Sequence, residues 1–224
     1  SGAARAHGLK VAAPPRNGVG NFEHFTSGTS AAAALASRTC HQIHDALETA
    51  YGDTFKSLSH AQRATLLKAL LVHTASWPHP ASELIKQVLG PSGNRQYVRQ
   101  KDNIRRFLGY GLVDAEAAVA CSEDRATFWA SGILSRKQAV TIQVPIPICI
   151  NGQAKPHELR ATLAWFTPVL PGRQSYRAVR LKLIEPDELT SLRVSAAKTQ
   201  PDQNQGSRGT VFSRRWVGAQ APIV

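Results

Sequence analysis

The chain has 224 residues, 42% of them hydrophobic and 7% aromatic, and it carries a formal net charge of +12. This composition is typical of a folded protein with a core, arranged in one large domain or two modest ones. It contains no apolar run long enough to cross a bilayer, and three widely spaced cysteines exclude a disulfide framework. The histidines and cysteines show no metal-ligand spacing, so we expect no metal. We also expect no cofactor and, because no apolar run could cross a bilayer, no membrane partner.

The positive charge raises the question of an acidic partner. Lys and Arg total 27 against 15 Asp and Glu, and they are spread along the chain. The densest group lies within Arg95–Arg106, where few aromatic rings accompany the cations. Because no recognised nucleic-acid motif accompanies the charge, a solvated basic surface is favoured over nucleic-acid binding.

The sequence contains no methionine, even at position 1, and it opens within what looks like continuous domain sequence. We therefore expect a fragment or a processed product of a longer protein. No signal-peptide pattern begins at Ser1. Any targeting signal would precede this residue, so the localisation stays open.

The first predicted element is a short strand within His7–Pro15, followed by a glycine-containing turn and a short extended piece. From Ser30 to Tyr51 there is no Gly or Pro, which predicts a long helix that ends at Gly52. The apolar residues that recur at helical spacing along it are Leu35, Ile43 and Leu47.

A second helix is predicted over residues 58–77, with Ser59 as its N-cap and an apolar stripe of leucines, closed by Pro78 and Pro80. Residues 81–106 are polar and contain Gly and Pro. They predict a loop with one short helix at Ser82–Leu89.

Gly109–Gly111 predicts a turn. Asp114 predicts the N-cap of a last short helix over Ala115–Ala120.

The pattern changes near residues 121–130. Four segments beyond that point alternate apolar and polar residues or are rich in strand formers: Gln138–Ile150, Glu158–Pro168, Tyr176–Pro186 and Gly209–Val217. They predict an antiparallel all-β sandwich, so we expect two domains, residues 1–121 and 122–224.

The stretch Gly28-Thr29-Ser30, directly before Ala31–Ala34, has the composition of a nucleophile site. A serine hydroxyl needs a base and oxyanion donors, and the unpaired N–H groups of a helix start supply such donors. Glycine just before it permits a sharp turn and close approach of a substrate. The other interpretation is that Ser30 only caps the helix, and the tripeptide alone does not decide between them.

The order of these elements closely resembles the C-terminal half of subtilisin-like serine proteases, from "GLKVAAPP" through "FTSGTSAAAA" and "LLKALLVHTA" to "GYGLVDAEAAV". The resemblance spans about residues 7–121 and implies the C-terminal portion of a doubly wound parallel α/β domain. The remainder resembles the jelly-roll-like sandwich appended to many bacterial members. By resemblance Ser30 is the nucleophile, its N–H is one oxyanion donor, and Ser27 and Gly28 lie beside a polypeptide substrate.

The chain departs from the family pattern at Ala34, where the family often has proline in the first turn of the helix. More seriously, the family's Asp, His and oxyanion Asn segments precede the serine, and nothing before Gly28 is long enough to hold them. The resemblance therefore implies the N-terminal part of the catalytic domain as a partner, without which we expect no activity. The alternative is a degenerate relative that serves as a structural or protein-binding module.

Overall fold

A computed structural model of the chain describes residues 8–14, 18, 20, 22–90, 96–145, 156–174, 177–184, 195–196 and 209–218. Its elements, in chain order, are β1 (Leu9–Ala13), β2 (Phe22–Thr26), α1 (Thr29–Lys56), α2 (His60–Thr74), α3 (His79–Val88), α4 (Gln96–Leu108), α5 (Ala115–Val119), β3 (His157–Ala164), β4 (Ser195–Ala196) and β5 (Val211–Gly218). None of these helices is long and apolar enough to span a membrane.

The expected doubly wound parallel sheet is wrong, because every strand pair in the described ranges is antiparallel. Strands β1 and β2 form a two-stranded sheet of their own, with Leu9 opposite Thr26 and Ala13 opposite Phe22. Residues 14–21 are too few for the crossover of a dozen or more residues that a parallel pair requires. A hairpin is the arrangement that this short connection permits.

The expected all-β sandwich is also wrong. The second half of the chain contributes one sheet of three strands in the order β3-β5-β4, and α2 packs against β3 and β5. Strands β3 and β5 confirm two of the four predicted strands. In the other two segments, residues 138–145 and 177–184 form no strand, while residues 146–150, 176 and 185–186 lie outside the described residues. Among the described residues no partner strand lies alongside these two segments, and alternation alone did not make them strands.

Helix α1 is longer than predicted because it continues past Gly52 for one more turn. Gly52 has φ 47° and ψ −120°, a conformation that is open to glycine and strained for other residues. The helix therefore bends sharply there instead of ending. Its second half carries the buried residues Ile43, Leu47 and Phe55.

The core lies between the second half of α1, helix α2 and helix α5. Leu66 and Leu70 of α2 are buried and pack with the buried residues of α1. Partly buried neighbours complete this cluster: Leu58, Leu67, Leu71, Ala118 and Trp129. The predicted N-cap is confirmed, because the Ser59 hydroxyl accepts the Gln62 N–H while the Gln62 side chain accepts the Ser59 N–H.

Polar side chains join α2 and the α4–α5 connection to the sheet. Lys68 Nζ donates to Thr210 Oγ1 at 2.5 Å, and Tyr110 donates its hydroxyl to the Val211 carbonyl at 2.9 Å. Near the end of α2, His73 Nδ1 lies 3.0 Å from Thr162 Oγ1 on β3. We call these contacts the polar seam. They link residues on opposite sides of the predicted boundary at residues 121–122.

Residues 81–106 were expected to be mainly loop, and that expectation is wrong for α4. Its polar composition reflects ion pairs along the helix, since Asp102 pairs with Arg105 at 2.8 Å and with Arg106 at 2.9 Å. Ile104 supplies a buried apolar contact. Pro80 does not close α2 but lies in the first turn of α3, where proline is tolerated.

The predicted turn after α4 is confirmed. Gly109 and Gly111 both have positive φ, 58° and 102°, and Leu112 then exchanges two backbone hydrogen bonds with Ser76. Asp114 caps α5 as predicted, because its side chain accepts the Ala117 N–H at 2.8 Å.

Replacing Gly111 with alanine is expected to lower the free energy of unfolding by more than about 2 kcal/mol. The added Cβ would lie 2.0 Å from the Ser76 carbonyl oxygen, and the positive φ adds strain. Gly132→Ala is the matched control, since a Cβ there meets nothing within 4 Å. Denaturant unfolding of both variants measures the difference in the free energy of unfolding. Equally small effects of the two substitutions would contradict a requirement for glycine at position 111.

Candidate functional site

The β1–β2 hairpin delivers the chain to the candidate nucleophile. It is held by backbone pairing along its whole length and by an exposed ion pair between Lys10 and Glu23. Gly8 has φ 128°, and a Cβ there would lie 2.3 Å from the Thr26 carbonyl oxygen, so only glycine permits this close pairing. The hairpin thus fixes the point at which the chain leaves β2 for the helix.

Gly28 turns the chain from β2 into α1. Its φ of 126° and ψ of 178° fall in a region that is essentially restricted to glycine. Its carbonyl accepts the Ala32 N–H at 3.1 Å, which is the first hydrogen bond of α1. Gly28 is therefore the N-cap residue, and no side chain caps this helix start.

Ser30 lies in the first turn of α1 and is exposed. The interpretation of Ser30 as the helix cap is wrong, since the cap is Gly28 and Ser30 is the second helical residue. Within the described ranges its hydroxyl has no hydrogen-bond partner. Its backbone N–H is among the first N–H groups of the helix, which have no carbonyl partner within the helix and carry the positive end of its dipole. Both features suit a nucleophile that also donates to an oxyanion.

Ser27 and Gly28 lie three and two residues before Ser30, and these three residues and the intervening Thr29 are all exposed. They form a continuous open stretch at the junction of hairpin and helix. The substrate-binding role that the resemblance implies for Ser27 and Gly28 stays a prediction.

The first half of α1 is not covered by the other described residues. Ala32, Ala33 and Ala34 are exposed, and Leu35 is 46% exposed. The hairpin adds exposed aromatic rings, Phe22 at 47% and Phe25 at 46%. The described structure covers α1 only from its middle onward, so the first half of α1 and the hairpin, which flank Ser30 in the chain, expose apolar side chains. We call this the α1 entry surface.

The described histidines do not supply a base for Ser30. His41 and His44 lie on the same helix, 11 and 14 residues further on, or about 16 and 21 Å along its axis. His24 lies on β2 opposite Val11 and makes no hydrogen bond to Ser30 within the described ranges. The described residues around Ser30 therefore comprise an exposed serine and the first N–H groups of α1, with no histidine partner among them.

His73 is unavailable as a base because it belongs to the polar seam. Burial lowers the pKa of His73 from 6.5 to about 4. The positive charges of Arg160 and Arg125 reinforce this shift, and the negative charge of Glu158 opposes it. Thr162 Oγ1, its partner, lies 2.8 Å from Ser213 Oγ on β5. Sequence reasoning missed this role, although the spacing of Leu66, Leu70 and His73 on α2 placed the histidine near the apolar stripe.

The chain is 30% identical over 116 residues to a protein of Sinorhizobium fredii named "Uncharacterized protein y4bN". The match covers 52% of the chain and 24% of that protein, so the chain spans about a quarter of this relative. No protein-family model and no solved structure matches the chain. The resemblance to subtilisin-like proteases consequently depends on the Gly28-Thr29-Ser30 motif and the order of elements.

Replacing Ser30 with alanine is expected to change the free energy of unfolding by less than about 0.5 kcal/mol. The Ser30 hydroxyl has no hydrogen-bond partner among the described residues, and alanine favours helices. Ser59→Ala, which removes a true N-cap, is expected to cost about 1 kcal/mol. Denaturant unfolding compares the two. An equal cost at Ser30 would restore its interpretation as a structural cap.

The pH dependence of stability is expected to follow His73. Its pKa is lower in the folded state, so below pH 6.5 the unfolded state takes up a proton that the folded state does not. Stability is therefore lost as the pH falls from 6.5 towards 4, by about 2 kcal/mol between pH 7 and pH 5. Unfolding at both pH values tests this. His73→Gln should flatten the dependence, whereas the exposed His60→Gln should leave it unchanged.

Proposed function

We propose that this chain carries the nucleophile of a serine endopeptidase of the subtilisin-like type, with Ser30 as the attacking residue and a polypeptide as substrate. The observation that carries the proposal is the placement of Ser30. It is an exposed serine with an unpartnered hydroxyl, at the start of a helix that a glycine-only turn opens.

The chemistry assigned to Ser30 is acyl transfer. Its Oγ attacks the carbonyl carbon of a peptide bond, and its proton passes to an imidazole from a preceding part of the protein. The Ser30 N–H and an asparagine side chain from that same part hold the oxyanion. The C–N bond then breaks, the amine leaves with the proton from the imidazole, and water hydrolyses the acyl-enzyme.

The α1 entry surface supports a role for a preceding segment. Its apolar side chains belong to the elements on either side of Ser30 in the chain, and the proposed base and asparagine would have to reach this serine. Phe22 and Phe25 are about half exposed and Leu35 is 46% exposed, whereas the second half of α1 is packed in the core. Exposed apolar surface of this kind is typical of an interaction site. The proposed occupant is the N-terminal part of the catalytic domain.

The second candidate function is a catalytically inactive, protein-binding relative. The observation that favours it is the same exposed apolar surface, taken together with the lack of a histidine contact to Ser30 among the described residues. In that case the α1 entry surface would bind another protein, and Ser30 would have no chemical role.

A fluorophosphonate probe, which reacts with activated serines, separates the two functions. The full-length gene product should be labelled at Ser30, and the 224-residue chain alone should not. Ser30→Ala should abolish labelling, whereas Ser131→Ala, at an exposed loop serine, should not. Labelling is read by mass spectrometry of the modified peptide.

A folded full-length protein that stays unlabelled would overturn the protease and favour the binding module. Labelling of Ser30 in the isolated chain would instead show that the base lies within these 224 residues.

A further inference from the structure

The middle of α1 carries two pairs of metal-binding residue types side by side. His41 and Asp45 are four residues apart, and so are His44 and Glu48. Residues at this spacing lie on the same face of a helix, one turn apart. The four side chains therefore share one stripe of the helix surface.

Their ligand atoms converge. His44 Nδ1 lies 3.7 Å from an Asp45 carboxylate oxygen and 3.8 Å from a Glu48 carboxylate oxygen, and the atoms of these three residues all lie within 4.8 Å of one another. His41 Nε2 lies 3.6 Å from the other Asp45 oxygen. Ligand atoms at about 2.0–2.1 Å from a tetrahedral zinc ion are about 3.3 Å apart. The two His44 contacts exceed that spacing by about half an ångström or less.

The bend at Gly52 helps to hold the cluster in place. Eleven residues of straight helix would separate His44 and Phe55 by about 16 Å, yet their ring centroids are 5.1 Å apart in an edge contact. Phe55 is fully buried, so one side of the His44 ring packs against the core while Nδ1 lies beside the carboxylates. The same bend places Lys56 Nζ 3.1 Å from a Glu48 oxygen.

We propose that this face of α1 binds one divalent transition-metal ion, with His44, Asp45 and Glu48 as its protein ligands. Imidazole and carboxylate donors of this kind suit zinc. The Lys56 ammonium occupies one Glu48 oxygen and competes with the metal. His41 is about 16 Å along the helix from Ser30, so the role is structural: the ion links successive turns of α1 before the Gly52 bend. This site is independent of the proposed peptidase activity.

Titration of the 224-residue chain with zinc chloride, followed by calorimetry and by thermal unfolding, tests the proposal. We expect saturable binding of one ion per chain and a rise in the unfolding temperature, because an ion that binds only the folded state stabilises it. Glu48→Gln and His44→Ala should each weaken binding at least about tenfold, since both remove a direct ligand. Glu48→Gln keeps the side-chain volume and the His44–Phe55 packing, so it is informative even if His44→Ala fails to fold.

Two further variants make the result specific. Lys56→Gln should strengthen zinc binding, because it removes the competing ammonium from Glu48. The control His60→Ala, an exposed histidine on α2 that contacts Arg63, should leave binding unchanged. Absence of zinc binding would overturn the site. Binding that survives both Glu48→Gln and His44→Ala would do the same and would point to other groups such as the free thiols of Cys40 and Cys121.

Discussion

Helix α2 is covered on both sides, by α1 and α5 on one side and by β3 and β5 on the other, and the described structure is organised around it. Its leucines pack in the core with α1, whereas Lys68 and His73 face the sheet through hydrogen bonds. Burying polar groups costs free energy unless each finds a partner, so the polar seam requires a defined register between helix and sheet. The uncharged state of His73 follows from that enclosure.

The parts of the fold that sequence could predict depend on interactions between near neighbours. Ser59 and Asp114 cap their helices through residues three positions away, and the glycines after α4 form a turn whatever surrounds it. The strands β3 and β5 were also predictable, because each alternates and each has a partner. Residues 138–145 alternate equally well, yet the pattern carries no information on whether another strand lies beside them.

The sequence could likewise predict only part of the candidate site. The motif Gly28-Thr29-Ser30 indicated a helix start, but only the backbone angles identify Gly28 as the cap and leave the Ser30 hydroxyl unpaired. The exposure of the alanine block could not be predicted, because it depends on which surfaces other segments cover. The spacing of His44, Asp45 and Glu48 on a long predicted helix indicates the cluster, whereas the spacing of histidines and cysteines alone does not.

The polar seam also affects the order in which the parts of the protein fold. Its hydrogen bonds join residues far apart in the chain, 142 positions for Lys68 with Thr210 and 101 for Tyr110 with Val211. Proteins dominated by such distant contacts fold slowly, because much chain entropy is lost before those contacts form. During synthesis, α1 and α2 can pack against each other early. The sheet on the other side of α2 is completed only when β5, residues 211–218, has been synthesised and can pair with β3.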